Sequence, residues 1–272
     1  MHHVTILGSG TSTGVPMPCC SCAVCKSSDP KNQRLRSSAF IVTSSGKNIL
    51  VDTSPDLRQQ ALINNITNID SCIITHEHAD HTHGIDDLRP FCFGPPKKEI
   101  QIWTSEYCVN EFTQKYPYIF QRHKLFNKDK PIIGGGVPLL TLQKLIPEQS
   151  TKIQGEDFYF HLMPHGYGMN LGFIHSKMAY LTDCHEIPET FLKKLKQSNL
   201  ELLILDCINR RKHKTHLSFD RSIEYLKKID AKLTVLTHFS HDFDQAPFEQ
   251  ELKSMFNGSV IPAYDGLTLE YH

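Results

Sequence analysis

"THEHADH", residues 75–81, sets three histidines and one aspartate in the order H-x-H-x-D-H directly after the short apolar run "SCII" at 71–74. At this chain's own His and Asp frequencies the pattern would arise by chance in on the order of one chain in a few hundred. The spacing suits metal binding. His76 and His78, two apart on extended backbone, point the same way and can share one ion. Asp80 and His81, past a turn, can reach a second ion nearby. Neutral imidazoles with carboxylates suit zinc, manganese or iron.

Outward from this stretch, short β-branched runs recur. They include "HVTILG", "SAFIVTS", "KNILVDT", "IQIWTS", "DFYFHLM", "MAYLTDC", "ELLILDC" and "KLTVLTH". "SSGK" at 44–47 joins two of them as a hairpin. Helical patterns lie between others: "SPDLRQQALINN", with Ser54 read as the N-cap and Pro55 as the first helical residue, then "SEYCVNEFTQKY", "IPETFLKKLKQS", "SFDRSIEYLKKI" and "APFEQELKSM". Strands that first cluster and then alternate with helices predict an α/β layer structure with mixed sheets. The runs also end repeatedly in metal-competent residues: Asp52, His76, His165, Asp183, Asp206 and His238. If those ends share one sheet edge, six ionisable groups meet there.

H-x-H-x-D-H after a short strand resembles the metallo-β-lactamase superfamily, whose fold is an αββα sandwich of two mixed β-sheets flanked by helices. "LVDTSP", "MPHGYG", "LTDC" and "LTHFSH" match its further motifs in order. The resemblance implies His76, His78 and His165 on one metal, Asp80, His81 and His238 on a second, Asp183 bridging both, and Asp52 orienting a ligand. The N-terminal stretch "LGSGTSTGVPMPCCSCAVCKSSDPKNQRLRSS" narrows the resemblance to the PhnP group of phosphodiesterases, sisters of tRNase Z. In that group a C-x-C-x-x-C loop holds a structural zinc, which implies Cys20, Cys22 and Cys25 here. The fourth ligand follows the last active-site histidine by three residues, which implies His241. Cys19 extends the pattern, so Cys19 and Cys20 both stand as candidates for the first position, and a redox disulfide is the competing reading of the loop. A histidine matching His216 lies near the substrate phosphate in these relatives, so catalysis is expected to involve Asp80 and His216.

Three other stretches carry less. "GSGTSTG" at 8–14 resembles a dinucleotide-binding loop, but no strand with a ribose-binding acid follows, so a tight turn beside the metal edge is the better reading. "NRRKHKTHLSFD" at 209–220 is basic and could steer a phosphorylated substrate, or be an ordinary solvated loop. "PIIGGGVPLL" at 131–140 reads as a turn.

The 272 residues are 39% hydrophobic and 21% charged, without repeats or linkers, which predicts one domain over 1–272. Lys plus Arg equals Asp plus Glu at 29 each, and this balance argues against a long polyanionic partner such as nucleic acid. No secretory signal or membrane span is apparent, and nine cysteines in that setting point to metal ligands and buried thiols in a cytoplasmic protein.

The expected function is hydrolysis of a small or cyclic phosphodiester by a metal-activated water, with two divalent ions (Mn²⁺ or Zn²⁺) at the active site and one structural Zn²⁺. His216 would assist the leaving alkoxide. A homodimer is compatible with the sequence. Competing readings are a tRNA 3′-processing endonuclease of tRNase Z type, a PqqB-like protein of cofactor biosynthesis, and a non-catalytic metal-binding module. No clear lysine- and glycine-rich arm of the kind that holds tRNA is present.

Overall fold

Alternate side chains along Ser38–Val42 and Asn48–Val51 enter two different cores. Ala39, Ile41, Ile49 and Val51 join one, and Phe40 and Leu50 join the other. A sheet that buries both faces must be covered on both, and this two-residue period sets the layering. The structure, a computed structural model, describes residues 1–94, 96–126, 129–131 and 136–272. Part of the turn expected at 131–140 therefore lies outside the described residues.

The first sheet holds β1 (His2–Gly8), β2 (Ser38–Val42), β3 (Asn48–Val51), β4 (Ser71–Ile73), β5 (Ile100–Thr104), β6 (Leu140–Lys144) and the C-terminal β14 (Thr268–Tyr271), in the order β14-β1-β2-β3-β4-β5-β6. The second holds β7 (Ser150–Ile153), β8 (Glu156–His165), β9 (Gly168–His175), β10 (Met178–Leu181), β11 (Leu202–Asp206), β12 (Leu233–Thr237) and β13 (Val260–Pro262), in the order β13-β12-β11-β10-β9-β8-β7. Each sheet is mixed. Antiparallel pairing along β14-β1-β2-β3 gives way to parallel β3-β4-β5-β6, and antiparallel β7-β8-β9-β10 to parallel β10-β11-β12-β13.

Helices cover both outer faces. α1 (Leu57–Ile63), the short α2 (Ala79–Thr82), α3 (Arg89–Phe93), α4 (Glu106–Lys115), α5 (Pro117–Phe120) and α6 (Arg122–Leu125) accompany the first sheet. Leu57, Cys92, Phe112 and Ile119 are buried there with Leu50, Cys72 and Ile102. α7 (Glu189–Gln197), α8 (Phe219–Ile229) and α9 (Gln245–Phe256) cover the second through Phe191, Leu195, Leu226 and Phe248. The expected αββα sandwich of two mixed sheets is the observed architecture. No helix among the described residues is long and apolar enough to cross a membrane.

Two local readings change. The first helix begins at Leu57 with Asp56 as its N-cap, not at Pro55 after Ser54. The Ser54 hydroxyl instead accepts from the Asp56 amide and donates to Gln60, closing a turn before the helix. The segment "GSGTSTG" ends β1, an antiparallel strand with no helix after it, so it is no dinucleotide loop. A Cβ on Gly8 would stand 2.0 Å from the Arg36 carbonyl, which explains glycine there.

Candidate metal centre

The parallel strands β3, β4, β10, β11 and β12 end at one edge, the usual place for a ligand on α/β sheets. Asp52, Asp183 and His238 follow their strands in left-handed backbone, with φ of 62°, 55° and 65°. Such residues cost about 1–3 kcal/mol each and persist where the surroundings hold them. Each turns the chain sharply at the strand end and aims its side chain along the edge. His165 closes β8 at the same edge, and α2 brings Asp80 and His81.

Two groups form. His76 Nε2 and His165 Nε2 lie 3.0 and 3.2 Å from His78 Nδ1. Nitrogens around a tetrahedral zinc stand about 3.3 Å apart, so the trio has ligand spacing. Beside it, His81 Nε2 lies 3.3 Å from Asp80 and 3.5 Å from Asp183, and His238 Nε2 lies 3.3 Å from the same Asp183 oxygen. Asp183 also falls within one 4.8 Å cluster with His76 and His81, and within another with His165 and His216. Its carboxylate stands between the groups, where a bridging ligand was expected.

The hydrogen bonds fix which ring nitrogens are bare. His165 Nδ1 faces the Thr215 carbonyl at 2.9 Å; a carbonyl only accepts, so Nδ1 carries the proton. His81 Nδ1 donates to Asp52 at 2.7 Å. Thr75 spends its hydroxyl proton on Asp52, so its oxygen accepts from His76 Nδ1 at 3.0 Å. His76, His81 and His165 thus each turn an unprotonated Nε2 toward the centre when neutral. His81 Nε2 and Asp183 Oδ2 are buried without a hydrogen-bond partner. Buried bare nitrogens and carboxylate oxygens facing one another fit a cation.

The electrostatics agree. Burial drives His76 well below the ordinary imidazole range and also lowers His165 and His238. Burial opposes charge on His81 as well, yet Asp183, Asp80 and Asp52 together hold it well above. Burial would raise Asp183, but His238 and His81 keep it well below the usual carboxylate range. The pocket draws positive charge to its middle.

Asp52 stands where the sequence placed it, buried and accepting from His81 and from the Thr75 amide and hydroxyl. His216 sits at the rim, its ring stacked on His238 at 4.8 Å and its Nδ1 3.1 Å from Asp206. Asp206 is fully buried, accepts from the Leu217 amide, and is pushed up to about 7 by burial. Its position as a strand-end acid was visible in the sequence, but its pairing with His216 was not. Asn170 was not foreseen; its Nδ2 donates to the Asp183 carbonyl at 2.9 Å and braces that turn. Burial chiefly lowers His216, with His81 and His78 adding to it against Asp183 and Asp80. No lysine or arginine of the 209–220 loop lines the 410 Å³ cavity over the centre, and Arg210 pairs with Glu251 instead. Thr11 and Ser12 of the glycine loop do line it.

The cysteine loop closes on the same segment. Cys20, Cys22 and Cys25 Sγ lie 3.1, 3.5 and 3.5 Å from His241 Nδ1, near the roughly 3.6 Å expected around zinc. Cys19 is exposed and outside the cluster, which groups Cys20, Cys22, Cys25 and His241. The Cys25 amide brings the Cys22 thiol down to about 6, toward the thiolate a metal needs, while burial pushes the Cys25 thiol up to about 11. His238 and His241 diverge because of the left-handed turn at His238, not regular strand alternation.

Comparison with known proteins agrees with this geometry. The family model described as "Beta-lactamase superfamily domain" matches residues 47–239. The crystal structure of a new diphosphatase from the PhnP family is 32% identical, covers 100% of this chain and 98% of its own, and superposes with a TM-score of 0.87. Zn²⁺-bound PqqB from Methylobacterium extorquens, 18% identical over 99% of this chain and 100% of its own, shares the fold with a TM-score of 0.78. An octanoyltransferase of Porphyromonas gingivalis is 34% identical over 262 residues, 96% of this chain and 50% of that protein. The chain thus spans about half the length of that curated relative, whose name describes the longer protein. With its sandwich of mixed sheets, its ordered His/Asp motifs and that family match, the chain belongs to the beta-lactamase superfamily, in its metallo-β-lactamase-fold branch and close to PhnP.

Proposed function

We propose that the chain is a metal-dependent hydrolase of small phosphodiesters. His76, His78 and His165 would hold one divalent ion, Asp80, His81 and His238 a second, and Asp183 would reach both. Zinc or manganese suits this donor set. Cys20, Cys22, Cys25 and His241 would hold a structural zinc. When bound, paired divalent ions polarise phosphoryl oxygen and make a nucleophile available from water at neutral pH.

The observation that carries the reading is the His216–Asp206 pair at the rim of this centre. Asp206 fixes the proton of His216 on Nδ1 and leaves Nε2 as the ring's free nitrogen. Protonated at Nε2, His216 can give that proton to the leaving oxygen as the P–O bond breaks, and it remains a neutral ring bonded to Asp206. The walls of the cavity also supply Thr11, Ser12 and Asn209 as neutral polar groups for phosphate oxygens. With zero net charge and no cation from the basic loop at the cavity, a small substrate fits better than tRNA.

The diphosphatase named in the 32%-identical structure supports a second form of the same substrate. A disubstituted diphosphate also presents a doubly substituted phosphorus with one negative charge. The test is turnover of a panel: a 2′,3′-cyclic nucleotide, bis(p-nitrophenyl) phosphate, a disubstituted diphosphate and precursor tRNA. Cleavage of the small substrates with little tRNA trimming is expected. Efficient, salt-sensitive tRNA trimming would replace the reading with that of a processing nuclease.

A further inference from the structure

A larger cavity, of about 970 Å³, adjoins the polar one and shares His78, His165 and Thr215 with it. Its character is opposite. Leu145 and Leu162 form its floor, and Tyr107, Ile146, Tyr167 and Met169 stand at its mouth with 56%, 54%, 113% and 42% of their surface exposed. Isolated exposed apolar residues need no explanation, but four around one concavity beside a reactive centre mark a binding surface.

Several polar groups of its wall are already engaged. Glu106 pairs with Lys144 at 2.6 Å. The Ser105 hydroxyl accepts from the Cys108 amide, and Glu77 accepts from the Cys108 thiol. The Thr215 carbonyl is taken by His165. Leu145, Ile146, Leu162 and Met169 offer an apolar chain a contact that sugar hydroxyls would not match.

We propose that one substituent of the diester is an unbranched alkyl or acyl chain, which lies in this cavity against Ile146, Leu162, Tyr167 and Met169 while the phosphate sits at the His/Asp centre. This rests on the phosphodiester reading. His78, His165 and Thr215 line both cavities, so a substituent of a phosphate held at the centre can extend directly into the apolar one.

The experiment uses the metal-loaded full chain and a series of p-nitrophenyl alkyl phosphates from methyl to hexyl, all with the same leaving group. A methylene entering partly apolar surroundings is worth about twofold to threefold, so five of them should raise kcat/KM on the order of 30- to 200-fold. In Ile146→Asp and Met169→Asp, both altered at exposed positions, the hexyl-to-methyl ratio should fall at least about tenfold. A calorimetric arm measures hexyl phosphate against methyl phosphate, with tighter binding and a negative heat-capacity change expected for hexyl in the wild type only. A flat alkyl series with normal cleavage overturns the inference and leaves the phosphodiesterase reading standing. Absence of cleavage at every length overturns that reading, and the calorimetric comparison then decides the inference alone. A nucleoside diester preferred over the hexyl substrate overturns it in favour of a base. A dimer dispersed by Ile146→Asp with the ratio unchanged overturns it in favour of a second copy of the chain.

Discussion

Asp52→Asn isolates a residue that holds no metal position itself but orients one that does, His81. Asp52 lies in left-handed backbone at φ 62°, which asparagine tolerates as well as aspartate, so the strand end keeps its turn. Its two oxygens take the Thr75 amide at 2.7 Å, the Thr75 hydroxyl, and His81 Nδ1–H at 2.7 Å. Asparagine has one acceptor oxygen. If that oxygen keeps Thr75, the amide nitrogen faces His81 and offers a proton to Nδ1. The ring then holds its own proton on Nε2, the atom aimed between Asp80 and Asp183. Loss of such an orienting partner typically costs about 10- to 100-fold in metal affinity, or roughly 1.4–2.7 kcal/mol. Burial already disfavours the Asp52 charge, so its removal should leave the metal-free fold intact. Competition against a chromophoric chelator would read the affinity, with circular dichroism as the check on folding. Affinity within twofold of wild type at both metal positions would refute the reasoning.

Three further outcomes are expected. His241→Ala should lose one zinc per chain by elemental analysis and lower the melting temperature, by roughly 5–10 °C for a loss of about 3 kcal/mol, while the His/Asp centre still loads; unchanged metal content would remove the cysteine site from the account. His216→Ala should lower turnover of an alkyl or sugar diester by about a hundred- to ten-thousand-fold and that of bis(p-nitrophenyl) phosphate far less, since nitrophenolate leaves without a proton; equal losses would deny the acid role. His175, stacked on Phe158 and faced by His2, Glu156 and Tyr271, is held down at about 4, chiefly by burial and then by His2, against about 6.5 unfolded. Between those values the unfolded chain binds the extra proton, so stability falls as pH drops from 6.5 toward 4, by about 1–2 kcal/mol at pH 5. Urea unfolding at pH 7 and pH 5 should show that loss shrinking in His175→Gln, and an identical loss in both proteins would contradict it.

What the sequence disclosed follows from how the fold encodes each part. Metal-competent residues at strand ends are legible because the parallel strands all finish at one edge, so linear order becomes spatial convergence. Asp52, His165, Asp183 and His238 were found that way. The two-sheet division was not written in the periodicity, since β11 is buried at every position and shows no alternation; the motif resemblance supplied it. Strand β7, "STKI", is a polar edge strand, and β13 is three residues ending in proline, so the first is too polar and the second too short to read as a strand. Asp206 was noted at a strand end, but only the folded loop brings His216 to it. The apolar cavity was invisible, because Tyr107 comes from the first turn of α4 and Ile146 and Tyr167 from two separate connections, with no shared pattern.

Turnover of 2′,3′-cyclic nucleotide and bis(p-nitrophenyl) phosphate by the metal-loaded chain, beside the same protein stripped by chelator and then reloaded, is the decisive measurement of metal-dependent phosphodiester cleavage. Cleavage of both by the loaded chain is expected, with loss on stripping, recovery on reloading, and a fall of several orders of magnitude in Asp183→Ala. A fully loaded chain that cleaves neither diester, or an Asp183→Ala protein that turns them over at the normal rate, would contradict it.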